Sequence, residues 1–237
     1  MKSMTLQHIA IIPDGNRRWA REQGLRPEEG HLAGFDCTKE IMLSAIEHKV
    51  ENLSFWGSSM NNLTKRSVSE VKNLYFGFKK HFKQLLEEDM IHTNRVKVNV
   101  FGKWREYFPR DLIQVINRLI EATKEYDQHT MNFFLGYNGD EEMLSAIQCI
   151  VNEAQESAEP LSVDAVCLKR HLYTRDLPPV DLLIRTGGDP HNSVGFMMWD
   201  MANAQYYFTD MCYPDFSPAE FEKAMVEYDK RERRHGK

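Results

Sequence analysis

The sequence is poor in cysteine, and its four cysteines form no pattern. Cys37, Cys149, Cys167 and Cys212 are scattered over 237 residues, without a C-x-x-C pair or a histidine at metal-ligand spacing. Cysteines of this kind are typical of free, buried thiols in a reducing compartment. We therefore expect neither a disulfide framework nor a structural zinc site.

Long apolar runs and an excess of positive charge are also missing. No run approaches the roughly 18–20 residues that a membrane span needs, and the first residues lack the apolar region of a secretory signal. Thirty Lys and Arg residues stand against 35 Asp and Glu residues, a net charge of -5, so no global positive field is available to bind nucleic acid. The sequence predicts a cytoplasmic protein with no stable membrane insertion and no nucleic-acid partner.

The chain has no internal repeat, low-complexity tract or Gly/Ser-rich linker, which predicts a single domain over residues 1–237. Apolar runs that are typical of strands alternate with segments of helical periodicity. The predicted strands are 8–12, 53–56, 96–101, 131–135 and 181–184, and the predicted helices are 32–46, 68–90, 112–126, 141–153 (capped by Asp140), 163–172 and one that follows Ser217. This alternation predicts an α/β fold, with a largely parallel central sheet flanked by helices.

Three loops follow predicted strands: 13–19, 57–66 and 185–194. In parallel sheets, ligands bind beyond the carboxyl ends of the strands, where these loops lie. The second loop combines small hydrogen-bond donors and amides with two cations, and it could equally be an ordinary polar loop. The third loop places Arg185 before a Gly-Gly turn, which suits an anion but is also compatible with a simple turn. Neither a Walker A loop nor a G-x-G-x-x-G pattern is present.

The first loop carries the densest charge. Gly15 permits a tight backbone, and Arg17 and Arg18 place two guanidinium groups where a helix begins, an arrangement that favours a phosphate or a diphosphate. Asp14 fits among these cations if a Mg²⁺ ion bridges its carboxylate and the diphosphate. The alternative is a helix-capping aspartate beside surface arginines. His31, at the start of the next predicted helix, is either a surface residue or a group that binds the diphosphate or carries a proton.

Several motifs together resemble one family. They are HIAIIPDGNRRWA at 8–20, GHLAG at 30–34, LLIRTGG at 182–188, YFTD at 207–210, YPDF at 213–216 and RERRHG at 231–236. In this order, and over nearly the whole chain, they resemble the cis-prenyltransferases, of which undecaprenyl diphosphate synthase is the best-known type. The resemblance implies a hydrophobic substrate tunnel, a homodimer, and Mg²⁺-assisted coupling of isoprenoid diphosphates.

The resemblance also implies roles for individual residues. Asp14 is the catalytic carboxylate that binds the metal, with His31 and Asn62 as further catalytic residues. Arg185 binds the diphosphate of the acceptor, and Arg26 lies one position from a family arginine that contacts diphosphate. The substrate-binding residues implied by the resemblance are Gly15, Asn16, Arg17, Arg18, Trp19, Arg26, Ser59, Asn61, Lys65, Arg185, Ser193, Arg234 and Gly236.

Three departures from the family pattern fall at the site that usually receives isopentenyl diphosphate. The usual Phe-Ser-x-Glu-Asn-Trp has Asn61 in place of its glutamate, and Lys65 stands at the usual arginine. The loop after Arg185 lacks a second arginine, and Gln205 replaces a glutamate that serves the metal. Losing two anions and one cation must alter the metal and the placement of the acceptor.

These departures resemble a small branch of the family that couples two allylic diphosphates head-to-middle to lavandulyl-type products. Dimethylallyl diphosphate, alone or with geranyl diphosphate, is the expected substrate, and the product is branched or cyclic. A regular short-chain synthase that uses isopentenyl diphosphate and a non-catalytic partner subunit remain as alternatives. Aromatic residues are frequent in the helix after the second loop and in the strand after Thr130; they are Tyr75, Phe76, Phe78, Phe82, Phe133 and Phe134, with Leu135 beside them. We expect most of them to be ordinary core and one or two to plug the tunnel, which favours products of about ten to fifteen carbons.

Overall fold

A computed structural model gives the fold, and it describes residues 6–157 and 159–231. Over these residues, six parallel strands form one sheet in the order β3-β4-β2-β1-β5-β6. The strands are β1 (His8–Ile12), β2 (Asn52–Ser58), β3 (Val96–Phe101), β4 (His129–Leu135), β5 (Leu182–Arg185) and β6 (Gln205–Phe208). The predicted α/β fold with a parallel central sheet is confirmed, whereas the domain bounds of 1–237 stay a prediction.

Helices cover the sheet on both faces. They are α1 (Asn16–Glu22), α2 (Pro27–Glu47), α3 (Met60–Thr64), α4 (Val68–Glu87), α5 (Asp89–Thr93), α6 (Trp104–Tyr107), α7 (Arg110–Thr123), α8 (Gly139–Glu156), α9 (Ala165–His171) and α10 (Pro218–Lys230). Among the described residues, no helix is both long and apolar enough to cross a membrane.

Two local predictions need correction. The helix expected over 68–90 ends at Glu87, because Glu88 has extended backbone angles (φ -83°, ψ 114°) that separate α4 from α5. The cap of α8 is Asn138 rather than Asp140. Asp140 lies inside the first helical turn, where its negative charge still complements the helix dipole.

Alternation along the strands divides the core between the two faces of the sheet. Ile9 and Ile11 point into a large cluster with α2, α4, α7 and α10, and Ala10 and Ile12 point into a smaller one on the opposite face. Because β1 lies inside the sheet and is buried on both faces, all five of its residues are buried. The carboxyl end of β1 is followed directly by the loop at residues 13–15.

Candidate functional site

A cavity of about 560 Å³ lies at the carboxyl ends of β1, β2 and β5. Its size is in the range of small-molecule sites. One part is lined by the charged residues of the first loop and by Arg185, and the other by aromatic side chains of α4 and β4. The cavity therefore fits a ligand with an anionic head and an apolar tail. A continuous tunnel stays a prediction.

Asp14 and Arg185 form the centre of the charged part. Arg185 is only 4% exposed, and its Nη2 donates to Oδ2 of Asp14 and to Oδ2 of Asp189, both at 2.9 Å. The other oxygen of Asp14 accepts the backbone N–H of Gly15 at 2.6 Å. Since Arg185 Nε has no hydrogen-bond partner among the described residues, this guanidinium retains a free donor beside the cavity. The arrangement holds a carboxylate and a cation next to each other at a strand end.

Four further arginines bring positive charge to the same cavity; they are Arg17, Arg18, Arg21 and Arg66. Arg18 Nη1 donates to the carbonyl of Gly187 at 2.8 Å. Arg17 forms an ion pair with Glu70, with its Nη1 3.7 Å from Oε1 of the glutamate. Arg66, one of the two cations of the second loop, lines the cavity, and burial followed by the charge of Arg17 lowers its pKa. Guanidinium groups gathered in this way suit the several oxygens of a diphosphate.

Asn16 is held in the cavity wall by a close approach of two helices. Its Nδ2 donates to the carbonyl of Pro13 at 2.8 Å, and its Oδ1 is buried without a partner among the described residues. A Cβ added at Gly34 of α2 would lie 2.2 Å from that oxygen. Only glycine leaves room for Asn16 in this position.

His31 lines the cavity within α2, which begins five residues earlier than the helix predicted over 32–46. Burial, followed by the charges of Arg66 and Arg17, lowers the pKa of His31 to about 4. At neutral pH its imidazole is therefore uncharged. A neutral imidazole can accept a proton or share a hydrogen bond with a phosphate oxygen.

The second loop contributes one of its predicted residues to the cavity wall. Ser59 and Asn62 cap α3 reciprocally, at 3.0 and 3.2 Å, and Asn62 lines the cavity while Ser59 is buried beneath it. Asn61 and Lys65 are exposed and lie outside the described lining. Arg66, rather than Lys65, is the cation that the fold turns inward.

The remaining predicted residues divide between the cavity and the surface. Ser193 lines the cavity, as predicted. Trp19 donates from its indole N–H to Asp215 at 2.7 Å, and Arg26 pairs with Glu28 and Glu29 on the surface, so neither is part of the described lining. Gln205, at the start of β6, has a buried Oε1 without a partner among the described residues. The predicted residues Arg234 and Gly236 lie outside the described residues.

The apolar part contains a residue that sequence reasoning missed. Phe78, Phe82 and Phe133 line it, and Tyr75, Phe76, Phe134 and Leu135 lie outside the described lining. His81 of α4 also lines it, 4% exposed, with its ring stacked on Phe35 at 4.9 Å between centroids. Burial lowers the pKa of His81 to about 4, and its Nε2 has no partner among the described residues. His81 lies three residues after Phe78, and this helical spacing places both residues on the buried face of α4. That spacing was the sequence signal that could have identified His81.

The donor set of the cavity fits Mg²⁺. Asp14 is the one carboxylate among the described residues that line it, and these residues form no group of three or more His, Cys, Asp or Glu side chains that could enclose a metal. Proteins usually hold Mg²⁺ through one or two carboxylates together with substrate phosphates. A single aspartate surrounded by arginines matches that mode of binding rather than a site made by the protein alone.

Comparison with known proteins identifies the family. The prenyltransferase family model described as "Putative undecaprenyl diphosphate synthase" matches residues 12–236. The chain is similar to a tritrans,polycis-undecaprenyl-diphosphate synthase (geranylgeranyl-diphosphate specific) of Thermococcus kodakarensis, with 34% identity over 98% of this chain and 87% of the relative. It is equally similar, at 34% identity, to an isoprenyl transferase of Deinococcus radiodurans, over 98% of this chain and 85% of the relative.

A solved structure with a closely similar fold is lavandulyl diphosphate synthase from Lavandula x intermedia, in complex with dimethylallyl diphosphate. The TM-score is 0.92 and the identity 26%, over 98% of this chain and 99% of that one. Matches over nearly the full length, in sequence and in structure, agree with a cavity that has arginines at one end and aromatic rings at the other. The chain belongs to the undecaprenyl diphosphate synthase family of cis-prenyltransferases, whose members are Mg²⁺-dependent enzymes of isoprenoid diphosphates, and is itself a prenyltransferase.

Proposed function

We propose that the protein couples allylic isoprenoid diphosphates head-to-middle and releases diphosphate. The substrate is dimethylallyl diphosphate, alone or with geranyl diphosphate, and the product is a branched or cyclised lavandulyl-type diphosphate. The observation that carries this proposal is the absence of acids at the usual acceptor site: Asn61 and Gln205 stand where the family pattern has glutamates, and Asp14 is the one carboxylate among the described residues that line the cavity. Arg185, the expected acceptor ligand, shares its Nη2 between Asp14 and Asp189, and its Nη1 donates to the carbonyl of His191 at 2.6 Å.

Few groups of the usual acceptor site remain to hold a metal. With Asn61 exposed and Gln205 in place of an acid, little remains to bind the metal that accompanies isopentenyl diphosphate in the usual pose. The Nε of Arg185 stays free for the diphosphate of the acceptor. The structural similarity to a lavandulyl diphosphate synthase supports the same conclusion. The names of the similar sequences, which are polycis-undecaprenyl synthases and isoprenyl transferases, favour the regular coupling of the second candidate, a synthase that uses isopentenyl diphosphate, but they do not name a short-chain product.

The charged part of the cavity prepares the donor for ionisation. Asn16, Arg17 and Arg18 bind its diphosphate, and Asp14 would hold the Mg²⁺ ion. When bound, that ion supplies positive charge to the departing diphosphate. Cations already fixed in place stabilise the charge of a leaving group without rearranging, which is usually the largest catalytic contribution. The carbon–oxygen bond of the donor breaks, and its electron pair leaves with the diphosphate.

The allylic cation that remains is attacked by the acceptor. A new carbon–carbon bond joins the first carbon of the donor to the internal carbon of the acceptor double bond, and the positive charge moves to a tertiary carbon. Phe78, Phe82 and Phe133 offer ring faces that attract a cation and exclude water. Loss of a proton from a methyl group gives the branched product, and the released diphosphate or the neutral His31 accepts that proton.

We also propose a homodimer. Leu144, Ile147 and Val151 lie on one face of α8 at spacings of three and four residues, and all three are exposed. A second copy that covers this face would remove it from water. The free thiols of Cys37, Cys149, Cys167 and Cys212 fit the cytoplasm that we propose as its location. Light scattering of wild type and of Ile147→Glu tests the interface, and a variant that stays dimeric contradicts it.

Product analysis tests the reaction. The purified protein is incubated with Mg²⁺ and dimethylallyl diphosphate alone, with added geranyl diphosphate, and with added isopentenyl diphosphate, and the dephosphorylated alcohols are identified. We expect branched or cyclic lavandulyl-type alcohols from the allylic substrates alone, and no efficient linear product with isopentenyl diphosphate. Linear cis alcohols that require isopentenyl diphosphate would establish the regular synthase. No turnover in any mixture would favour a non-catalytic subunit.

A further inference from the structure

We propose that the outer face of α4 docks onto the surface of an anionic lipid bilayer. This basic face consists of Val68, Lys72, Phe76, Lys79, Lys80 and Lys83. An α-helix advances by 100° per residue, so residues at these spacings fall on one side of the helix. The lysines therefore share a surface with two large apolar side chains.

The two apolar residues of this face are unusually exposed. Val68 is 73% exposed and Phe76 is 66% exposed, whereas Leu74, Phe78 and Phe82 on the opposite side of α4 are buried. The side of α4 that carries Leu74, Phe78 and Phe82 is therefore packed inside the protein, and the other side is exposed to water. A phenylalanine and a valine held in water gain free energy when another surface removes them from it.

The charge of the face is positive, although the chain as a whole carries -5. Lys79 pairs with Asp111 of α7, and no ion pair to a described residue holds Lys72, Lys80 or Lys83. Glu87, at the end of α4, lies on the same side, one turn beyond Lys83. Three lysines are therefore available for an external anionic partner, along about 16 Å of helix.

A bilayer fits this combination better than a protein does. The lysines of the face flank its exposed phenylalanine, so positive charge surrounds an apolar side chain. Helices of this kind lie in the membrane interface, with apolar side chains at the acyl boundary and lysines that reach the phosphate groups. The opposite side of α4 lines the apolar part of the cavity. Docking would thus bring the wall of that cavity alongside a membrane without any helix crossing it.

Vesicle flotation of the full chain tests the proposal. Vesicles that contain a third phosphatidylglycerol in phosphatidylcholine are compared with pure phosphatidylcholine vesicles, at low salt and in 0.5 M NaCl. We expect binding only to the anionic vesicles, and loss of that binding at high salt, because salt screens exposed charges. Each basic residue near an anionic surface contributes about fivefold to affinity. Replacing Lys72, Lys80 and Lys83 by glutamine should therefore weaken binding about 100-fold.

A matched variant separates the contribution of this face to binding from the effect of the net charge of the protein. Replacing Lys49, Lys124 and Lys230 by glutamine removes the same charge from other exposed positions and should leave the binding within about fivefold of wild type. Phe76→Ser should weaken binding several-fold without changing its salt dependence. Circular dichroism shows that each variant is folded.

Three results would overturn the proposal. The first is that the wild-type protein does not float with anionic vesicles. The second is that the two triple variants lose equal amounts of vesicle binding. The third is that the wild-type protein binds uncharged vesicles as well as it binds anionic ones. Binding to polyglutamate but not to vesicles would instead assign the face to an acidic protein. Product analysis in detergent-free solution is independent of these outcomes, because none of these lysines lies in the described cavity lining.

Discussion

Asp14 shows how single residues shape this site. Its carboxylate is oriented from two sides, by the Nη2 of the buried Arg185 at 2.9 Å and by the N–H of Gly15 at 2.6 Å. Thr186 and Tyr213 also hold its backbone carbonyl, at 2.8 and 3.0 Å. These contacts place one negative group among several arginines, where it can hold a metal against a diphosphate.

Removing this carboxylate should abolish turnover. For Asp14→Ala we expect a rate at least about 10²–10³-fold below wild type, because the loss of a fixed electrostatic contact to the leaving group has costs of that order. The circular dichroism spectrum should be unchanged, since the residue lies in a loop. Asp189→Asn is the matched control, because Asp189 also pairs with Arg185 but lies outside the described cavity lining. A rate above about one tenth of wild type for Asp14→Ala contradicts the assigned role.

His81 predicts a pH dependence of stability. Its pKa in the folded protein is about 4, and that of an unfolded histidine is about 6.5. Between these values the unfolded chain binds a proton that the folded chain does not, so the free energy of unfolding falls as the pH is lowered from about 6.5 to about 4. The difference corresponds to about 3 kcal/mol at the lower end.

Urea unfolding of wild type and His81→Phe between pH 4 and 7 measures this contribution. The variant keeps a flat ring against Phe35 but has no titrating nitrogen, so its free energy of unfolding should fall less. His8 and His31 also have lowered pKa values, and they retain part of the dependence in both proteins. Parallel pH profiles for the two proteins would contradict burial of a neutral His81.

Between elements, the approach of α1 to α2 determines where the donor diphosphate binds. Asn16, at the start of α1, lies against Gly34 of α2, and Gly30 of the same helix faces the Asn16 carbonyl. A Cβ at Gly30 would lie 2.1 Å from that backbone oxygen. Gly30 and Gly34, one turn apart and without side chains, thus allow the start of α1 to pack against α2 more closely than any larger residue at these positions would permit.

Gly34→Ala tests this contact. The new methyl group must displace the side chain of Asn16, so we expect the KM for the donor diphosphate to rise about tenfold or more, which is the equivalent of about 1.4 kcal/mol. Glu40→Ala, at an exposed position of the same helix, is a control for activity, because Glu40 lies outside the described lining. Unchanged KM in Gly34→Ala would show that Asn16 does not bind the donor in this position.

On the scale of the whole molecule, the cavity is limited by aromatic residues from separate parts of the chain. Phe133 from β4 meets Phe82 of α4 edge-on at 5.2 Å between centroids and stacks on Phe55 of β2 at 5.8 Å. Two strands and a helix thus close the apolar end together. The space that they leave, about 560 Å³, suits short isoprenoid tails.

Product length should therefore be short. We expect products of about ten to fifteen carbons with the native enzyme, and chromatography of the dephosphorylated alcohols measures them. Phe82→Leu should admit a longer tail, and Phe76→Leu, on the exposed side of the same helix, should leave the length unchanged. Products beyond about thirty carbons from the native enzyme would contradict a closed apolar end.

The sequence alone determined the parallel α/β fold and the charged first loop. Residues 9–12 of β1 are an apolar run rich in isoleucine, which strands favour, and the Asp14–Arg18 segment follows one residue later. Because the charged segment follows the strand in the sequence, it must lie at the carboxyl end of that strand. The motif and its position at the strand end could therefore be predicted together. The short edge strand β6 was missed, because four residues with mixed burial lack a clear period.

Tertiary structure decided which of several similar residues enter the cavity. Arg66 and Lys65 are adjacent cations, and the turn after α3 directs only the arginine inward. Trp19 belongs to the recognised motif but turns to Asp215, whereas His81 reaches the apolar wall from about 60 residues beyond the first motif. Side-chain direction depends on helix phase and on packing between distant segments, and neither is fixed by the identity of a residue or of its neighbours.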